Sequence, residues 1–389
     1  MKNKKVLVRV DFNVPIENGT IRDDSRINNA LPTIEFLKRA GAKIILISHL
    51  GKTSHFNQNQ SLRNIAEEVE KKYSSRVVFI DDCLCENAAP IISDSSIDDI
   101  ILMENLRFHP EEEECDLAFA RRLANLADFY INEAFSASHR KHASIFAVPQ
   151  FLPHALGLSF VKEIQTIDGF FSNAISPKMC IVGGVKLSTK INLLKNLVKK
   201  VDKIALGGGI AGIFLSFVRN SSFKILDSEK YGEDIAEILE NSKQYGCELI
   251  LPVDFSTSAD GKKVASSALV TSENGESVIF DIGPDSVELF KHHIRESKTI
   301  MWNGPIGLFE KPPFDSGTIA IAREISRLTK EGELISITGG GDTSFAMNKF
   351  GISQDLSHVS SAGGAFLSYL EGTELPGIAA MRDGYSLQE

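Results

Sequence analysis

The chain has 389 residues, with 42 basic against 51 acidic side chains and a formal net charge of −9. Apolar residues make up 43% and charged residues 24%, an ordinary globular composition that argues against a disordered, fibrous or membrane protein. At about 100–200 residues per domain, this length predicts two domains, each able to bury its own core. The acidic balance argues against a broad surface for nucleic acid or anionic membranes, although it is compatible with one basic pocket.

The N-terminus and the cysteines favour a cytoplasmic location. The apolar stretch after Lys5 stops at Arg9, too soon for the apolar core of a signal peptide. The uncharged segment 204–218 is shorter than the ~18–20 residues of a membrane span. The five cysteines form no C-x-x-C pair and fit reduced thiols, and Cys83-x-Cys85 alone is a weak metal signal.

Short β-branched runs alternate with amphipathic helical patterns along the chain. Strands are predicted at 6–10, 43–48, 77–80, 100–103 and 129–131, separated by helices at about 27–40, 62–72 and 116–126. Beyond Pro177, strands are predicted at 179–182, 203–206, 249–251, 277–281, 299–302 and 334–338. This alternation predicts an α/β protein whose parallel sheets are covered on both faces by helices. We place the domain boundary near 155–175, where 160–171 is predicted to form one helix.

Basic residues follow several predicted strands of the first half. In open α/β sheets the ligand lies beyond the carboxyl ends of the strands. The polar residues there are Asp11, Asn13, His49, Lys52, Arg107, His139, Arg140 and His142, with Arg26 after the first loop. Ten of the fifteen arginines lie in 1–157. Because guanidinium groups bind phosphate and carboxylate oxygens bidentately, this pattern predicts a small, multiply charged anion as ligand.

A zinc site at His139 and His142 is an alternative, since histidines at i and i+3 can share one helix face. The segment offers no local third ligand, and Arg140 between the two histidines would repel a cation.

Glycines follow the predicted strands of the second half. The loops are Gly183-Gly184-Val185-Lys186 with Lys190 one turn later, Gly207-Gly208-Gly209, Gly339-Gly340-Gly341-Asp342-Thr343 and Gly363-Gly364. Such turns let backbone N–H groups approach phosphate oxygens, and an Asp beside one of them can hold Mg²⁺. Four glycine loops with two lysines favour a nucleoside polyphosphate. The sequence carries neither G-x-x-x-x-G-K-[ST] nor the protein-kinase motifs, so a phosphoryl transferase here would belong to another class.

A dinucleotide-binding fingerprint is a second reading of one loop. Gly207-x-Gly209-x-x-Gly212 follows a strand, and a further predicted strand at 223–226 ends at Asp227. This acid comes 15 residues after Gly212, against about 20 in the usual pattern. An NAD-dependent dehydrogenase is therefore an alternative, although it explains neither the other glycine loops nor the arginines.

Motifs along nearly the whole chain resemble the phosphoglycerate kinase family. They are Arg9-Val-Asp-Phe-Asn-Val-Pro15, Asp23-Asp-Ser-Arg26, Ser48-His-Leu-Gly51, Glu104-Asn-Leu-Arg-Phe108, His139-Arg-Lys-His142, Leu251-Pro-Val-Asp254, Asp281-Ile-Gly-Pro284, Trp302-Asn-Gly-Pro305, Phe309-Glu310, Gly339 to Thr343 and Glu371-Gly-Thr-Glu-Leu-Pro-Gly377. The resemblance implies two Rossmann-like three-layer domains facing each other across a hinge cleft. It assigns 1–157 and 376–389 to a phosphoglycerate-binding domain, 158–174 to an interdomain helix and 175–375 to a nucleotide-binding domain.

The resemblance also implies the site residues. For 3-phosphoglycerate or 1,3-bisphosphoglycerate they are Asp11, Phe12, Asn13, Arg26, His49, Leu50, Gly51, Lys52, Arg107 and Arg140. For ADP or ATP they are Lys186, Lys190, Gly208, Asn303, Glu310, Gly340, Gly341, Asp342 and Thr343, with Asp342 near Mg²⁺. The catalytic residues would be Arg26, Lys186, Gly340 and Gly363, with the two cations stabilising the transferring phosphoryl group from opposite sides. We expect a cytoplasmic monomer that acts in glycolysis and gluconeogenesis and binds neither nucleic acid nor membrane.

Several positions depart from the usual family pattern. Lys52 stands where Arg is usual, Glu133-Ala-Phe-Ser136 replaces Asp-Ala-Phe-Gly, Val185 replaces Ala, Ala362 replaces the first of three glycines, and Gly212 replaces Thr. The Gly212 departure creates the dinucleotide-like spacing. Because Lys52 keeps the charge but loses the guanidinium fork, weaker substrate binding is expected. A ligand-binding paralogue with weakened catalysis is therefore a further alternative.

Overall fold

The computed structural model describes residues 1–17, 19–218, 229–258, 265–267 and 278–382. The chain divides into two compact units. The first unit is Met1–Gln165 together with the C-terminal segment that begins at Glu374, and the second is Thr166–Thr373.

The first unit is built on six parallel strands. Its strands are β1 (Lys5–Arg9), β2 (Ile16–Glu17), β3 (Thr20–Ile21), β4 (Lys43–Ile47), β5 (Val77–Ile80), β6 (Ile100–Met103), β7 (Phe129–Asn132) and β8 (His154–Leu156). Its helices before the second unit are α1 (Ser25–Arg39), α2 (Ala66–Tyr73), α3 (Ala88–Asp94), α4 (Pro110–Glu113) and α5 (Leu117–Ala124). The sheet order is β5-β6-β4-β1-β7-β8, with every pairing parallel, while β2 and β3 form a separate antiparallel hairpin.

Both faces of this sheet are buried, which explains the continuous apolar runs in its strands. Along β1, Val6 and Val8 pack into one apolar cluster with Ile34 of α1. Leu7, on the opposite face, packs into a second cluster with Leu123 of α5. This arrangement confirms the predicted three-layer α/β architecture.

Helix α6 (Leu158–Ser172) contains the division between the two units and matches the helix predicted at 160–171. The second unit continues with strands β9 (Lys178–Val182), β10 (Lys203–Leu206), β11 (Glu248–Ile250), β12 (Phe255–Ser258), β13 (Ala265–Ser267), β14 (Val278–Ile282), β15 (Thr299–Asn303), β16 (Ile335–Gly339) and β17 (His358–Ser360). Its helices are α7 (Ile191–Leu197), α8 (Gly208–Val218), α9 (Gly232–Tyr245), α10 (Pro284–Glu296), α11 (Ser316–Lys330), α12 (Gly341–Lys349) and α13 (Gly364–Leu370). A last helix, α14 (Pro376–Arg382), belongs to the first unit, where Gly377 N–H donates to Ser138 O at 2.9 Å.

The second unit has its own parallel sheet, with strand order β11-β10-β9-β15-β16-β17. The strand predicted at 277–281 exists as β14, but it pairs antiparallel with β12 in a small three-stranded sheet. The expectation of a parallel strand there was wrong because an apolar run predicts a strand without predicting its partner. The strand predicted at 223–226 and Asp227 lie outside the described residues. No described helix is long and apolar enough to cross a membrane.

The buried centre of the second unit provides a test of this architecture. Trp302 is the only tryptophan of the chain, is fully enclosed, and lies in register with Ile181 on the neighbouring strand. Ile181→Ala removes buried methyl groups and is expected to lower the free energy of unfolding by about 2–5 kcal/mol. Urea unfolding followed by Trp302 fluorescence measures this loss.

Ile335 is the matched control because it lies on the same sheet with 45% of its side chain exposed. Ile335→Ala should cost less than about 1 kcal/mol. Equal losses for the two variants would contradict the burial assigned to β9.

Candidate active site

The carboxyl ends of β1, β4, β6 and β7 bring the predicted anion-binding residues of the first unit to one edge of its sheet. Asp11 is the centre of these contacts. Its Oδ2 forms an ion pair with Arg26 Nη1 at 2.9 Å and accepts a hydrogen bond from Ser136 Oγ, and its Oδ1 accepts from Asn13 N at 3.1 Å. Burial would raise the pKa of Asp11, but the Arg26 charge and the Ser136 hydroxyl outweigh it and hold the pKa at about 2. Asp11 is therefore ionised at neutral pH.

The segment after β4 is held from both sides. Gly51 N–H donates to Asn13 Oδ1 at 2.9 Å, and Arg107 Nη1 donates to Gly51 O. Arg107 also lies 3.1 Å from Glu113 through Nε, but that N–H makes no hydrogen bond and is buried. Arg107 is therefore anchored to the backbone through Nη1, while its Nε–H has no hydrogen-bond acceptor.

His49 is 95% buried between cationic groups. Burial lowers the pKa of His49 well below its usual range, and Arg9, Arg107 and Arg140 act in the same direction, while Asp11 opposes them. The ring is therefore neutral at pH 7. Arg140 is half-buried, and its Nε donates to His139 Nε2 at 3.2 Å.

Three predicted substrate residues, Phe12, Leu50 and Lys52, do not join the side-chain contacts around Asp11. The side chains of Phe12 and Leu50 lie in the apolar core, so only their backbones reach the strand ends. Even these backbones are engaged, since Phe12 N–H donates to Ser48 Oγ at 2.9 Å and Asn105 binds Leu50 N and O. Lys52, by contrast, is exposed and has no partner among the described residues.

In the second unit, Lys190 and Asn303 form one group at the ends of β9 and β15. Lys190 Nζ donates to Asn303 Oδ1, and Asn303 Nδ2 donates to Gly339 O at 2.7 Å. Burial lowers the pKa of Lys190, whereas Glu371 and Asp342 oppose that shift. Both ends of the Asn303 amide are engaged, so this residue holds Lys190 in place.

The glycine turn after β16 leads directly into α12. Gly340 has a φ of 102°, a backbone conformation that favours glycine. Thr343, one turn into the helix, is fully buried and its Oγ1 accepts from Gly304 N at 2.7 Å, which joins α12 to the end of β15. Gly341 starts the helix at an exposed position, with its first N–H groups at the positive end of the helix dipole. Gly363, with a φ of 52°, precedes α13 in the same way.

The remaining predicted nucleotide residues are more open. Lys186, Glu310 and Asp342 are exposed, and no side-chain hydrogen bond or ion pair joins them to the described residues. Gly208 is half-buried with a φ of 63°, and its N–H donates to Ile306 O at 3.0 Å. The side chains of Lys186, Glu310 and Asp342 are therefore accessible to a ligand.

Packing explains the glycines that resemble a dinucleotide fingerprint. A Cβ on Gly208 would lie 2.8 Å from Gly184 O, and one on Gly209 would lie 2.9 Å from Val185 O. The turn after β10 thus needs glycines to let two backbone segments pass closely, whatever ligand it binds.

The described residues contain one group that could supply three metal ligands, and it includes neither His139 nor His142. Its members are Asp82, Cys83 and His109, whose ligand atoms lie within 4.8 Å of one another. His109 Nε2 already pairs with Asp82 at 2.9 Å, and Cys83 packs into the apolar core. His139 and His142 gather no such group in the described part of the chain.

Comparisons with known proteins agree on one family. A family model described as phosphoglycerate kinase matches residues 1–373. The phosphoglycerate kinase of Wolbachia pipientis wMel is 43% identical over 385 residues, covering 98% of this chain and 96% of its own length. That of Xanthobacter autotrophicus is 40% identical over 384 residues, covering 98% and 97%. The chain belongs to the phosphoglycerate kinase family.

Solved structures of phosphoglycerate kinases have the same fold. The enzyme from Coxiella burnetii matches with a TM-score of 0.85 at 35% identity, covering 98% of this chain and 96% of its own. The one from Pyrococcus horikoshii OT3 matches with a TM-score of 0.82 at 28% identity, with the same coverage. These comparisons confirm the resemblance seen in the motifs and lend no support to the dehydrogenase or to the paralogue.

Two departures from the phosphoglycerate kinase pattern have visible roles in the structure. Ser136 supplies the hydroxyl that binds Asp11. Glu133 is buried and its carboxyl accepts from Thr33 Oγ1 at 2.9 Å and from two backbone N–H groups at the start of α6, Ser159 at 3.1 Å and Phe160 at 3.4 Å. Sequence reasoning identified both positions as departures but could not show these contacts.

Glu133 gives a pH-dependent prediction for stability. Burial raises the pKa of Glu133 from 4.5 to about 7, although its hydrogen bonds oppose the shift. The folded chain therefore holds this proton over a pH range in which the unfolded chain has lost it. The contribution of Glu133 to the free energy of unfolding is fully present below pH 4.5 and is lost as the pH rises to about 7. The total loss is about 3 kcal/mol.

Glu133→Gln should therefore lose less stability than the wild type between pH 4.5 and 8, as measured by urea unfolding followed by circular dichroism. Burial also raises the pKa of Asp281, in the second unit, to about 7. Asp281 therefore adds its own pH dependence to both proteins, and only the difference between Glu133→Gln and the wild type reports on Glu133. Glu114→Gln is the control, since Glu114 is exposed and should leave the profile unchanged. Identical profiles for Glu133→Gln and the wild type would contradict the raised pKa.

Proposed function

We propose that this chain catalyses reversible phosphoryl transfer between 1,3-bisphosphoglycerate and MgADP, giving 3-phosphoglycerate and MgATP. The observation that carries the proposal is the group of cationic and hydrogen-bonding side chains around Asp11, at the edge where a parallel sheet binds its ligand. Family membership over residues 1–373 supports the same reaction. In such a reaction the acceptor of phosphate from ATP is a carboxyl group.

The chemistry asks for charge stabilisation and not for a strong base. A β-phosphate oxygen of ADP attacks the phosphorus of the acyl phosphate, and the bond to the carboxylate oxygen breaks. The leaving group is already a stable carboxylate, so the barrier is mostly charge repulsion and positioning. Preorganised cations and backbone N–H groups can supply this stabilisation.

In this proposal the first unit binds the phosphoglycerate. Arg26 is held by Asp11 Oδ2 and also donates to Asn13 O at 3.0 Å, so its guanidinium group is oriented before substrate arrives. His49, Arg107 and Arg140 bind the remaining anionic oxygens. Lys52 adds an exposed point charge. The substrate's several negative charges match this number of donors.

The second unit binds the nucleotide in this proposal. Lys186 and Lys190 neutralise phosphate charge, and the N–H groups that begin α12 at Gly341 and follow Gly340 bind phosphate oxygens. Gly363 provides the same kind of turn before α13. Asp342 fits a magnesium ligand because its carboxylate is exposed and no side-chain hydrogen bond or ion pair joins it to the described residues. Mg²⁺ bound there with the nucleotide would neutralise phosphate charge.

A cytoplasmic location and a monomeric state remain proposals from the sequence. Size-exclusion chromatography with light scattering would test the second.

Arg26 is expected to stabilise the transferring phosphoryl group. Arg26→Ala should lower kcat by a factor on the order of 10²–10³, measured in a coupled assay with 3-phosphoglycerate and MgATP. Arg22→Ala is the control, because Arg22 is exposed and its ion pair within the described residues is with the exposed Glu17. Lys186→Ala tests the same step from the second unit without breaking a buried pair, with exposed Lys199→Ala as its control. Near-normal turnover of Arg26→Ala would refute its role, and wild-type protein that binds nucleotide without turnover would refute the proposed function.

Lys52→Arg should restore a bidentate contact at the rim of the phosphoglycerate site. We expect the KM for 3-phosphoglycerate to fall several-fold while the KM for MgATP stays constant, because a guanidinium fork matches two anionic oxygens and an ammonium group does not. Steady-state kinetics with each substrate varied in turn measures this split. A KM for 3-phosphoglycerate that does not change, or rises, would show that Lys52 does not bind this ligand.

A further inference from the structure

Arg9, at the end of β1, is an arginine that cannot act as a direct ligand for the substrate. It is fully enclosed, and it was not among the residues that the sequence predicted to bind the substrate. Its Nε donates to Ser144 Oγ at 2.8 Å, Nη1 donates to Val10 O at 2.5 Å, and Nη2 lies 3.1 Å from His49 Nδ1. All three nitrogen atoms of the guanidinium group are thus engaged inside the protein.

The contact with His49 determines where the imidazole proton lies. An arginine side chain has five N–H donors and no acceptor, so His49 Nδ1 must accept the hydrogen bond. A neutral ring that accepts through Nδ1 carries its proton on Nε2. A protonated ring would set an N–H group against the N–H of Arg9. The groups that face the ring are Asp11, which favours protonation, and the three cations Arg9, Arg107 and Arg140, which oppose it.

The opposite atom of the ring is open to a ligand. His49 Nε2 has no hydrogen-bond partner among the described residues, and it is not one of the enclosed polar atoms that lack a partner. It lies with Asp11, Arg107 and Arg140 at the sheet edge that carries the proposed phosphoglycerate site. The ring therefore offers one N–H donor on the side of the proposed ligand.

The buried carboxylate of Glu112 fixes the orientation of the Ser144 hydroxyl that binds Arg9. Ser144 Oγ donates to Glu112 Oε1 at 2.6 Å, and Ser144 N donates to Glu112 Oε2 at 2.9 Å. Since the Ser144 hydroxyl hydrogen points to Glu112, a lone pair of its oxygen faces Arg9 Nε. Glu112 and Ser144 are both fully buried. Charge compensation of Arg9 thus passes through one oriented hydroxyl group.

The position of Ser144 is itself fixed by local structure. It lies in a single π-helical turn, Ala143–Ala147, a rare conformation that is often found near functional sites. Tyr130 Oη donates to Ser144 O at 2.6 Å, which ties this turn to β7. Every donor and acceptor from Glu112 to His49 is therefore assigned by geometry.

We propose that Arg9 is a positioning residue, which holds His49 as the neutral Nε2–H tautomer so that Nε2–H donates to an anionic oxygen of phosphoglycerate. This inference rests on the proposed function for its ligand, but the tautomer is a property of the protein alone. A neutral donor binds the anion through a directed hydrogen bond and leaves the cationic role to the arginines. It also keeps this hydrogen bond available across the pH range in which an ordinary histidine titrates.

Nitrogen-15 NMR of the full chain labelled at histidine tests the tautomer directly. The His49 signals are identified by their loss in His49→Gln. We expect the wild type to show an unprotonated Nδ1 and a protonated Nε2 at every pH from 6 to 8. A protonated Nδ1, or a ring that titrates within this range, would overturn the proposal without any activity measurement.

A double variant tests the role of Arg9. Arg9→Gln alone would leave Glu112 as an unpaired buried charge, so Arg9→Gln is combined with Glu112→Gln to remove both charges. A glutamine amide can donate or accept, and so it no longer forces one tautomer on His49. We expect a mixture of tautomers, an upward shift of the His49 pKa, and about a tenfold or greater rise in KM for 3-phosphoglycerate with the KM for MgATP unchanged.

The matched control is Arg22→Gln with Glu17→Gln, which removes the same two charges from an exposed pair of the first unit. It should change neither the tautomer nor the KM values. If the double variant at positions 9 and 112 keeps both the Nε2–H tautomer and the wild-type KM, Arg9 is not the positioning residue. If the wild type shows the expected tautomer but lacks kinase activity, the proposed function fails while the tautomer assignment stands.

Discussion

The carboxylate of Asp11 joins three segments of the first unit that are far apart in the chain. It binds Arg26 at the start of α1, Ser136 in the loop after β7, and the backbone of its own loop at Asn13. A negative group inside the proposed anion site would cost Coulomb energy when an anion binds. The ion pair with Asp11 also fixes the rotamer of Arg26 when the protein folds. The conformational entropy of this side chain is therefore not lost again when a ligand binds.

The same principle applies to the neighbouring cations. Arg107 is attached to Gly51 O, and Arg9 is attached to Ser144, so both charges have partners before any ligand is present. Buried charges are tolerated when paired and hydrogen-bonded, and removing one partner is costly. The net charge of the chain is −9, yet the fold gathers several arginines at this one sheet edge. A local cluster of positive charge is thus compatible with an acidic chain.

Sequence reasoning predicted the central strands because residues on both faces of each sheet are buried. The apolar runs are continuous from Val6 to Val8 in β1 and from Met179 to Val182 in β9, and this pattern does not depend on tertiary detail. It could not predict that β14 pairs antiparallel with β12, since a β-branched run fits either partner. Strand β8 has only three residues and was missed altogether.

The site shows a similar division. Placing His49 and Arg26 at the sheet edge required only the positions of the strand ends and the family motifs. The role of Arg9 required contacts with a serine 135 residues away, and that serine in turn depends on Glu112. Phe12 belongs to the same motif as Asp11, yet its side chain faces the core, because successive side chains of an extended segment alternate in direction.

The predicted site residues differ in how far protein partners hold them before a ligand binds. In the first unit, Arg26 and His49 are held by protein partners, so binding requires little rearrangement of these groups. In the second unit, Lys186 and Asp342 are exposed and have no side-chain partner in the described residues, while the glycine turns present backbone N–H groups of fixed direction. If the nucleotide binds here as proposed, binding would order the side chains of Lys186 and Asp342, while the backbone N–H groups of the glycine turns already have a fixed direction.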